Sequence, residues 1–557
     1  MFGTVSNKNQ RDRRRNSDKD AQLNDHIKDL QTMQRPVVLI AGEGSSGTLP
    51  RWRQAFQYRL HVISVADAAD SFDGVTTVVA SSNSEMADYL TTVGPVAAVI
   101  DEQAASIPEQ LQRWQRLFFH VAPGGSFVTT RLPERTPWDT AVLALTSRRI
   151  NPREIRELQR SAGITFQSDK YSVTVKEVEH LVKIKDDDAL AFLPTRLGAN
   201  NVRLLGSRPG GRSSGSLQAS SHGSTSEARL PAQKMTYPEL TLREFRGRTD
   251  IKDGMLAVNT STVLPSSFKH PWRTHSTQLR NINDLIAVVR SGDAEAVHLD
   301  GTYYDLTNSA PGNEAHFFTE SLPKLWGWRE AKERDPSLRA FYRIPSPDWE
   351  PLIERTVLQG YGLSADDIHW EHRNVSVGTF VSASQGWQNG GSHFAHPVTR
   401  DVWRSVRSTL VRPATSTPQK LFVTRGRTAE TPGPRNASEV ETFFATRGFE
   451  VVDVDAVSVE ERVDLFGNAA VVAGFAGGGM YNMLFAEHLE KVIVLSHESN
   501  TGRNEHLFAS LLTEEIHYFW SKPDVEQPED RFSGEAYNSE WDFDFTVNRS
   551  DLERVIS

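Results

Sequence analysis

The chain has 557 residues, a formal net charge of −9 and no cysteine. That length holds roughly two to four domains with sizeable cores. The charge argues against bulk attraction to nucleic acid or anionic lipid, and the missing thiols exclude disulfides and thiolate metal sites.

Residues 1–35 are polar and charged ("NKNQRDRRRNSDKDAQ") and lack the apolar stretch of a signal peptide, which predicts a flexible tail. Arg13 to Arg15 read as a solvated run, with phosphate contact as the alternative. A first folded region, 36–200, opens with "RPVVLIAGEGSSG", an apolar run suited to a buried strand followed by a glycine-rich turn. "LHVISVADA", "TVVASS" and "VAAVIDE" predict further strands. "IPEQLQRWQRLFFHV" predicts a helix with Leu111, Trp114, Leu117 and Phe118 on its apolar face, and "PGGSFVTTRL" a turn and strand. Strands alternating with helices predict a doubly wound α/β domain.

"VVLIAGEGSSG" and "FFHVAPGGSFVTT" resemble the first motif and the late strand pair of class I S-adenosylmethionine-dependent methyltransferases, over about residues 36–135. The usual acidic residue at the end of the second strand is missing from "HVISVADAAD", where Asp67 comes later. The resemblance therefore implies a degenerate methyltransferase-type domain, with S-adenosylmethionine binding as the alternative.

"GSRPGGRSSGSLQASSHGSTSEARLPAQK" carries almost no large apolar residue, so 201–235 is predicted to be a flexible linker. Beyond it, 236–410 and 411–557 read as separate lobes. In the first, "NEAHFFTESLPKLWGW" sets Asn313, His316, Glu320 and Lys324 in an aromatic frame. On a helix His316 and Glu320 share a side. Asp366 and Asp367 read as a solvated turn. The spacing of His369, His372, His393 and His396 repeats no metal-ligand pattern, so no metal is expected.

The second lobe alternates most clearly. "KLFVTRGR" is a strand ending at Arg425 and Arg427. "NASEVETFFATRGF" is a helix capped by Asn436 or Ser438, with Val440, Phe443 and Phe444 on one face and Gly448 as terminator. "EVVDVD" is a strand, and "SVEERVDLFGNAA" starts with a capping box from Ser458 to Glu461. "AVVAGF" is a buried strand, "AGGG" a tight loop, "MYNMLFAEH" a helix and "KVIVLSH" a strand. The glycines at 477–479 lie between a strand's C-terminal end and a helix, where open α/β sheets bind ligands and helix ends offer free N–H groups. A diphosphate fits there, with arginine forks from the same edge. Close helix–strand packing is the other role open to these glycines.

In order, these segments resemble the family 61 glycosyltransferases, over about residues 250–550. The resemblance implies a two-lobed GT-B-like fold, a nucleotide-sugar donor such as a UDP-sugar, a glycan acceptor and transfer with inversion, without a metal. It places Asn313, His316 and Glu320 in the acceptor-side motif. Arg425, Arg435, Asn436 and Glu439 fall in the donor motif, and Gly477, Gly479 and Asn482 in the phosphate loop. Gly478 and Arg427 join the donor set by position, and Lys324 joins the acceptor set. Many members have His where this chain has Ala476. His316 or Glu320 is expected to serve as general base. Each has an alternative: Glu320 as a structural partner of His316 or Lys324, and His316 as a substrate hydrogen-bonder or core residue. The expected setting is polysaccharide biosynthesis in the cytoplasm, near the inner membrane face or its assembly proteins, without nucleic acid. The competing readings are a bifunctional glycosyltransferase and methyltransferase, and a catalytically weak scaffold.

Overall fold

The computed structural model describes residues 24–65, 75–132, 152–167, 171–213, 215–223, 230–290, 296–411, 418–425 and 433–557, without the side chains of 164 and 166. Arg13 to Arg15, Asp67 and Arg427 lie outside the described residues. The chain divides into two compact units. The first comprises Met1–Val202, Leu256–Phe268 and Trp272–Ala294, and the second the remainder.

The first unit is built on β1 (Val37–Ala41), β2 (Leu60–Ser64), β3 (Thr76–Val79), β4 (Val96–Asp101), β5 (Val121–Thr130), β6 (Ala162–Gln167) and β7 (Tyr171–Lys176), in the order β3-β2-β1-β4-β5-β7-β6. β1 through β5 run parallel, and β7 is antiparallel to both β5 and β6. Every residue of β1 is buried, as a central strand covered on both faces requires. The helix Ile107–Leu117 buries Leu111, Trp114 and Leu117, the face its periodicity predicts. Gly125 has no substitute in β5, because a Cβ there would come 2.4 Å from the carbonyl of Ala97.

The expected tail ends earlier than the sequence suggested. Residues 24–32 are helical, and Leu30 joins the core of β1 and β2 with Ile27 and Met33 against it. This apolar stripe, three residues apart, is hidden among charged neighbours. The predicted boundary at 236 also shifts. Leu181–Lys183 pairs with Thr262–Val263 and Ile286–Val289, and Leu181, Leu256, Val263, Phe268, Leu279 and Ala287 form one cluster. Most of 256–294 therefore belongs to the first unit, through strand pairing that sequence proximity does not show.

Besides two short two-stranded pairs, the described residues of the second unit form two larger sheets. In one, Leu240–Lys252 pairs antiparallel with Val375–Ala383, and Val297–Asp305, Arg339–Arg343 and Ile368–Glu371 follow in parallel. The other is a six-stranded, all-parallel sheet. Its order is Gln218–His222, Glu515–Ser521, Lys491–His497, Val471–Phe475, Lys420–Thr424, Glu450–Asp453. Gln218–His222 comes from the stretch expected to be a linker. An edge strand needs only backbone pairing, which Ser and Ala supply as well as larger residues. Here the ring of His222 also stacks on Phe519 at 4.4 Å.

Around the parallel sheet two of the three predicted helices form, though Asn436 makes no side-chain cap, and the third, "MYNMLFAEH", is a 3-10 stretch over Gly478–Phe485. Ala437–Ala445 buries Val440, Phe443 and Phe444, and Gly448 follows at a φ of 83°. The box at Ser458 closes with Glu461 N–H 3.2 Å from Ser458 Oγ. The strand from Lys420 lies between those from Glu450 and Val471, so the order in which strands are added to the sheet reverses between the strands ending at Thr424 and Phe475. That crevice at the carboxyl edge is the topological switch point, the binding place of open α/β sheets.

Candidate functional site

Arg425 and Ala476 are the first residues beyond the two strands that flank the switch point. Arg425 Nη1 donates to the carbonyl of Ala476 at 3.1 Å. Gly477 follows with φ 140° and ψ −173°, a conformation open almost only to glycine. A Cβ there would also lie 2.7 Å from Arg425 Nη1. The N–H of Gly477 donates to Glu505 Oε1 at 2.7 Å. Burial pushes the Glu505 carboxyl above its ordinary range, against the opposing hydrogen bonds and Arg425. The bend is thus pinned from below, and the helical turn Gly478–Phe485 starts at the crevice.

The segment bearing His316 lies against this bend. A Cβ on Gly478 would stand 3.3 Å from Ala315 Cβ, and Arg462 Nη1 ties Glu314 at 2.7 Å. Asn313 caps the segment, accepting from the N–H groups of Ala315 and His316. Pro323 lacks an N–H and its ring crowds the carbonyl four residues back, at Thr319. The helix accordingly widens to a π turn over Phe317–Ser321, and Thr319 O accepts from Gln385 Nε2 at 3.3 Å. Such bulges recur at functional sites.

Glu320 sits in this widened turn, only 1% exposed. His316 Nδ1 donates to its Oε1 at 2.8 Å, Ser309 Oγ at 3.0 Å and Lys269 Nζ at 2.9 Å, while the N–H of Ser309 reaches Oε2 at 2.8 Å. Burial would raise the carboxyl, but the His316 hydrogen bond, the charge of Lys269 and the Ser309 amide hold it well below the carboxylate range. An ionised carboxylate only accepts, so His316 carries its proton on Nδ1 toward Glu320, which leaves Nε2 as the ring's other nitrogen.

A cavity of about 370 Å³ joins these groups. Asn313, His316, Lys269, Arg425, Gly477 and Gly478 line it, with His497 and asparagines 500, 504 and 538 on its walls. Burial lowers His497 to about 4, against an opposing hydrogen bond with the Tyr537 backbone, so this imidazole is neutral near pH 7.

Of the predicted residues, Asn313, His316, Arg425, Gly477 and Gly478 meet in this cavity, and Glu320 lies directly behind His316. Others stand elsewhere. Lys324 is buried against Asp305 Oδ2 (3.1 Å) and the carbonyl of Thr307 (2.7 Å), away from the cavity lining. Arg435 clasps Asp524 and Asp542, and Asn436 bonds both N–H and C=O of Phe543; these are braces within the sheet's periphery. Glu439 is exposed on its helix. Gly479 packs against Val423 and Val454, and Asn482 Nδ2 donates to the carbonyl of Gly479 at 3.1 Å. Both shape the bend from behind.

The sequence reading missed Lys269, Ser309, His497 and Glu505. A signal existed only for His497, which ends the strand "KVIVLSH" on the same carboxyl edge. Asp366 and Asp367 form the predicted turn, with Asp367 bonded to Ser364 and Lys332. Among the described residues no group of three His, Cys, Asp or Glu is placed to hold a metal, and no helix is long and apolar enough to cross a membrane.

Residues 315–493 match the family Glycosyltransferase 61. Similar solved structures include the MycE methyltransferase from the mycinamycin biosynthetic pathway in complex with Mg and SAH. It has 18% identity over 28% of this chain and 49% of that one, with a TM-score of 0.22. A second crystal form of it gives 16%, 28%, 48% and 0.23. The chain spans about half the length of those structures. No curated relative matches the chain.

Proposed function

We propose that the chain transfers a sugar, with inversion, from a nucleotide-sugar donor such as a UDP-sugar to a glycan hydroxyl in polysaccharide biosynthesis. One observation carries this reading: the hydrogen-bonded His316–Glu320 pair and the Arg425–Gly477 bend line or back one cavity. The donor diphosphate lies at the bend, against Arg425 and the N–H group of Gly478. Lys269 adds positive charge across the cavity. The acceptor oxygen attacks the anomeric carbon as His316 Nε2 takes its proton, and the bond from that carbon to the diphosphate oxygen breaks. Arg425 and the Gly478 amide stabilise the charge that gathers on the leaving diphosphate.

Glu320 is a positioning residue in this scheme. Its oxygens are occupied and its carboxylate is weakly basic, so it fixes the imidazole tautomer and stabilises the imidazolium that forms. A two-lobed GT-B-like arrangement of the second unit fits the reading, as does work at the inner membrane face beside assembly proteins. Calorimetric titration with a panel of nucleotide sugars and nucleoside diphosphates tests it. Binding that weakens in Arg425→Ala supports the assignment, and no binding of any donor or diphosphate removes it.

A second reading, in which the first unit binds S-adenosylmethionine, is favoured by the β1–β4 crevice of its parallel sheet. There Gly42 passes close to the Glu102 backbone, and Glu102 accepts from Thr48 and Trp52. Titration of the full chain with S-adenosylmethionine decides it.

A further inference from the structure

The first unit contains a larger cleft of about 1070 Å³ that the transfer reaction does not use. Arg153 and Arg156 of the helix Pro152–Ser161 reach its lining, as do Lys183, Arg273, Arg280 and Arg290. It shares no lining residue with the His316 cavity. On a chain of net charge −9 this is a concentrated patch of the opposite sign.

Its internal neutralisation is incomplete. Arg280 pairs with the buried Glu157 at 2.8 Å, and Lys185 with Asp188 at 3.5 Å. Lys183 Nζ is held by Asn281 Oδ1 and the carbonyls of Thr274 and Asn283. Among the described residues no carboxylate pairs with Arg273 or Arg290, both exposed, and Asp284 is the other acid in the lining. His275, beside them, has its pKa lowered by burial and then by the charges of Arg273, Lys183 and Arg290, so those cations act on one point. Like charges along a concave wall reinforce one another and raise the local concentration of anions.

We propose that this cleft binds a ligand carrying two or more phosphate groups, separately from the sugar donor. Guanidinium forks match phosphate oxygens bidentately. Cations from separate elements around a space of this size suit several anionic groups better than one. The cleft is concave rather than an extended stripe, which suits a compact polyanion. The same chemistry is offered by a soluble oligophosphate and by a lipid diphosphate headgroup.

The test uses the full chain and inorganic tripolyphosphate, titrated calorimetrically at two salt concentrations, with Arg273→Ala/Arg290→Ala, Arg273→Lys/Arg290→Lys and Arg425→Ala. The expected result is salt-sensitive binding that falls about tenfold or more in the alanine pair, less in the lysine pair, and not in Arg425→Ala. A parallel arm uses phosphatidylcholine vesicles with and without a lipid diphosphate. Vesicle binding that needs the diphosphate and is lost in the alanine pair identifies the lipid as the source; binding of tripolyphosphate alone identifies a soluble ligand. The proposal is overturned by no binding of either probe, by full affinity in the alanine pair, or by loss only in Arg425→Ala. A lowered melting temperature of the alanine pair without ligand also overturns it, since these arginines would then hold the fold.

Discussion

His316 Nδ1 stands 2.8 Å from Glu320 Oε1, and the carboxylate is almost wholly buried behind the imidazole. In the proposed reaction the order of these groups sets their roles: the ring faces the cavity and the carboxylate faces the ring. His316→Ala should abolish turnover. Glu320→Gln should lower kcat by about 10²-fold to 10⁴-fold with a small change in KM, because the amide no longer fixes the tautomer or supports the imidazolium. The two changes together should cost no more than His316→Ala alone. Additive losses in a double-mutant cycle would show that Glu320 acts independently, as the base itself.

The same carboxylate gives a pH signature in stability. Its folded-state pKa lies below the ordinary 4.5, so its contribution is present above that value and drains away as pH falls toward the folded-state one. Denaturant unfolding of the native protein should show stability declining below pH 4.5. In Glu320→Gln that part of the decline should be absent, on a lower baseline, because Lys269 and Ser309 lose their ionised partner. An unchanged slope in the variant would remove this account.

Gly477→Ala should disrupt the donor side. The backbone conformation costs a non-glycine residue roughly 1–3 kcal/mol, and the new methyl displaces the Arg425 guanidinium. Nucleoside diphosphate affinity should drop about tenfold or more, the loss of one charge-assisted hydrogen bond. Arg425→Ala should cause a similar loss, and combining the two should add little. Titration calorimetry on the three variants measures this.

Arg435 separates motif membership from site membership. It lies outside the cavity lining, clasping Asp524 and Asp542 on the surface. Arg435→Ala should leave nucleoside diphosphate affinity within about twofold of the parent, since exposed ion pairs act weakly and locally. A large drop in affinity, with melting unchanged, would return this residue to the donor site.

What the sequence made legible follows from the range of the forces involved. The strand–helix alternation from 419 to 497, the box at Ser458 and the shared face of His316 and Glu320 are local patterns, and all are present in the structure. The glycine bend was legible because three glycines follow a strand end, and at Gly477 the φ of 140° does exclude a side chain. Pairing between distant segments was not legible. Gln218–His222 reads as linker composition yet completes a parallel sheet, and residues of 256–268 and 279–289 join a cluster with Leu181. Lys269 reaches Glu320 from a segment that carries no motif. Arg435 entered the donor set through the family resemblance and Lys324 joined the acceptor set beside His316 and Glu320, whereas carboxylates within the protein engage both.

Lys324 gives the sharpest test of that last distinction. Its Nζ is buried with Asp305 Oδ2 at 3.1 Å and the Thr307 carbonyl at 2.7 Å, and Asp305 also accepts from the N–H and hydroxyl of Thr307. Removing one partner of a buried pair leaves the other charge uncompensated, typically at about 3–5 kcal/mol. Lys324→Met should therefore lower unfolding stability by about that amount, while variant that remains folded keeps its donor and acceptor affinities. Replacing both residues, Lys324→Met with Asp305→Asn, should recover much of the loss, because no unpaired charge remains. Denaturant unfolding of the single and double variants reads the difference. A Lys324→Met protein of parental stability with weakened acceptor binding would place this lysine on the substrate after all.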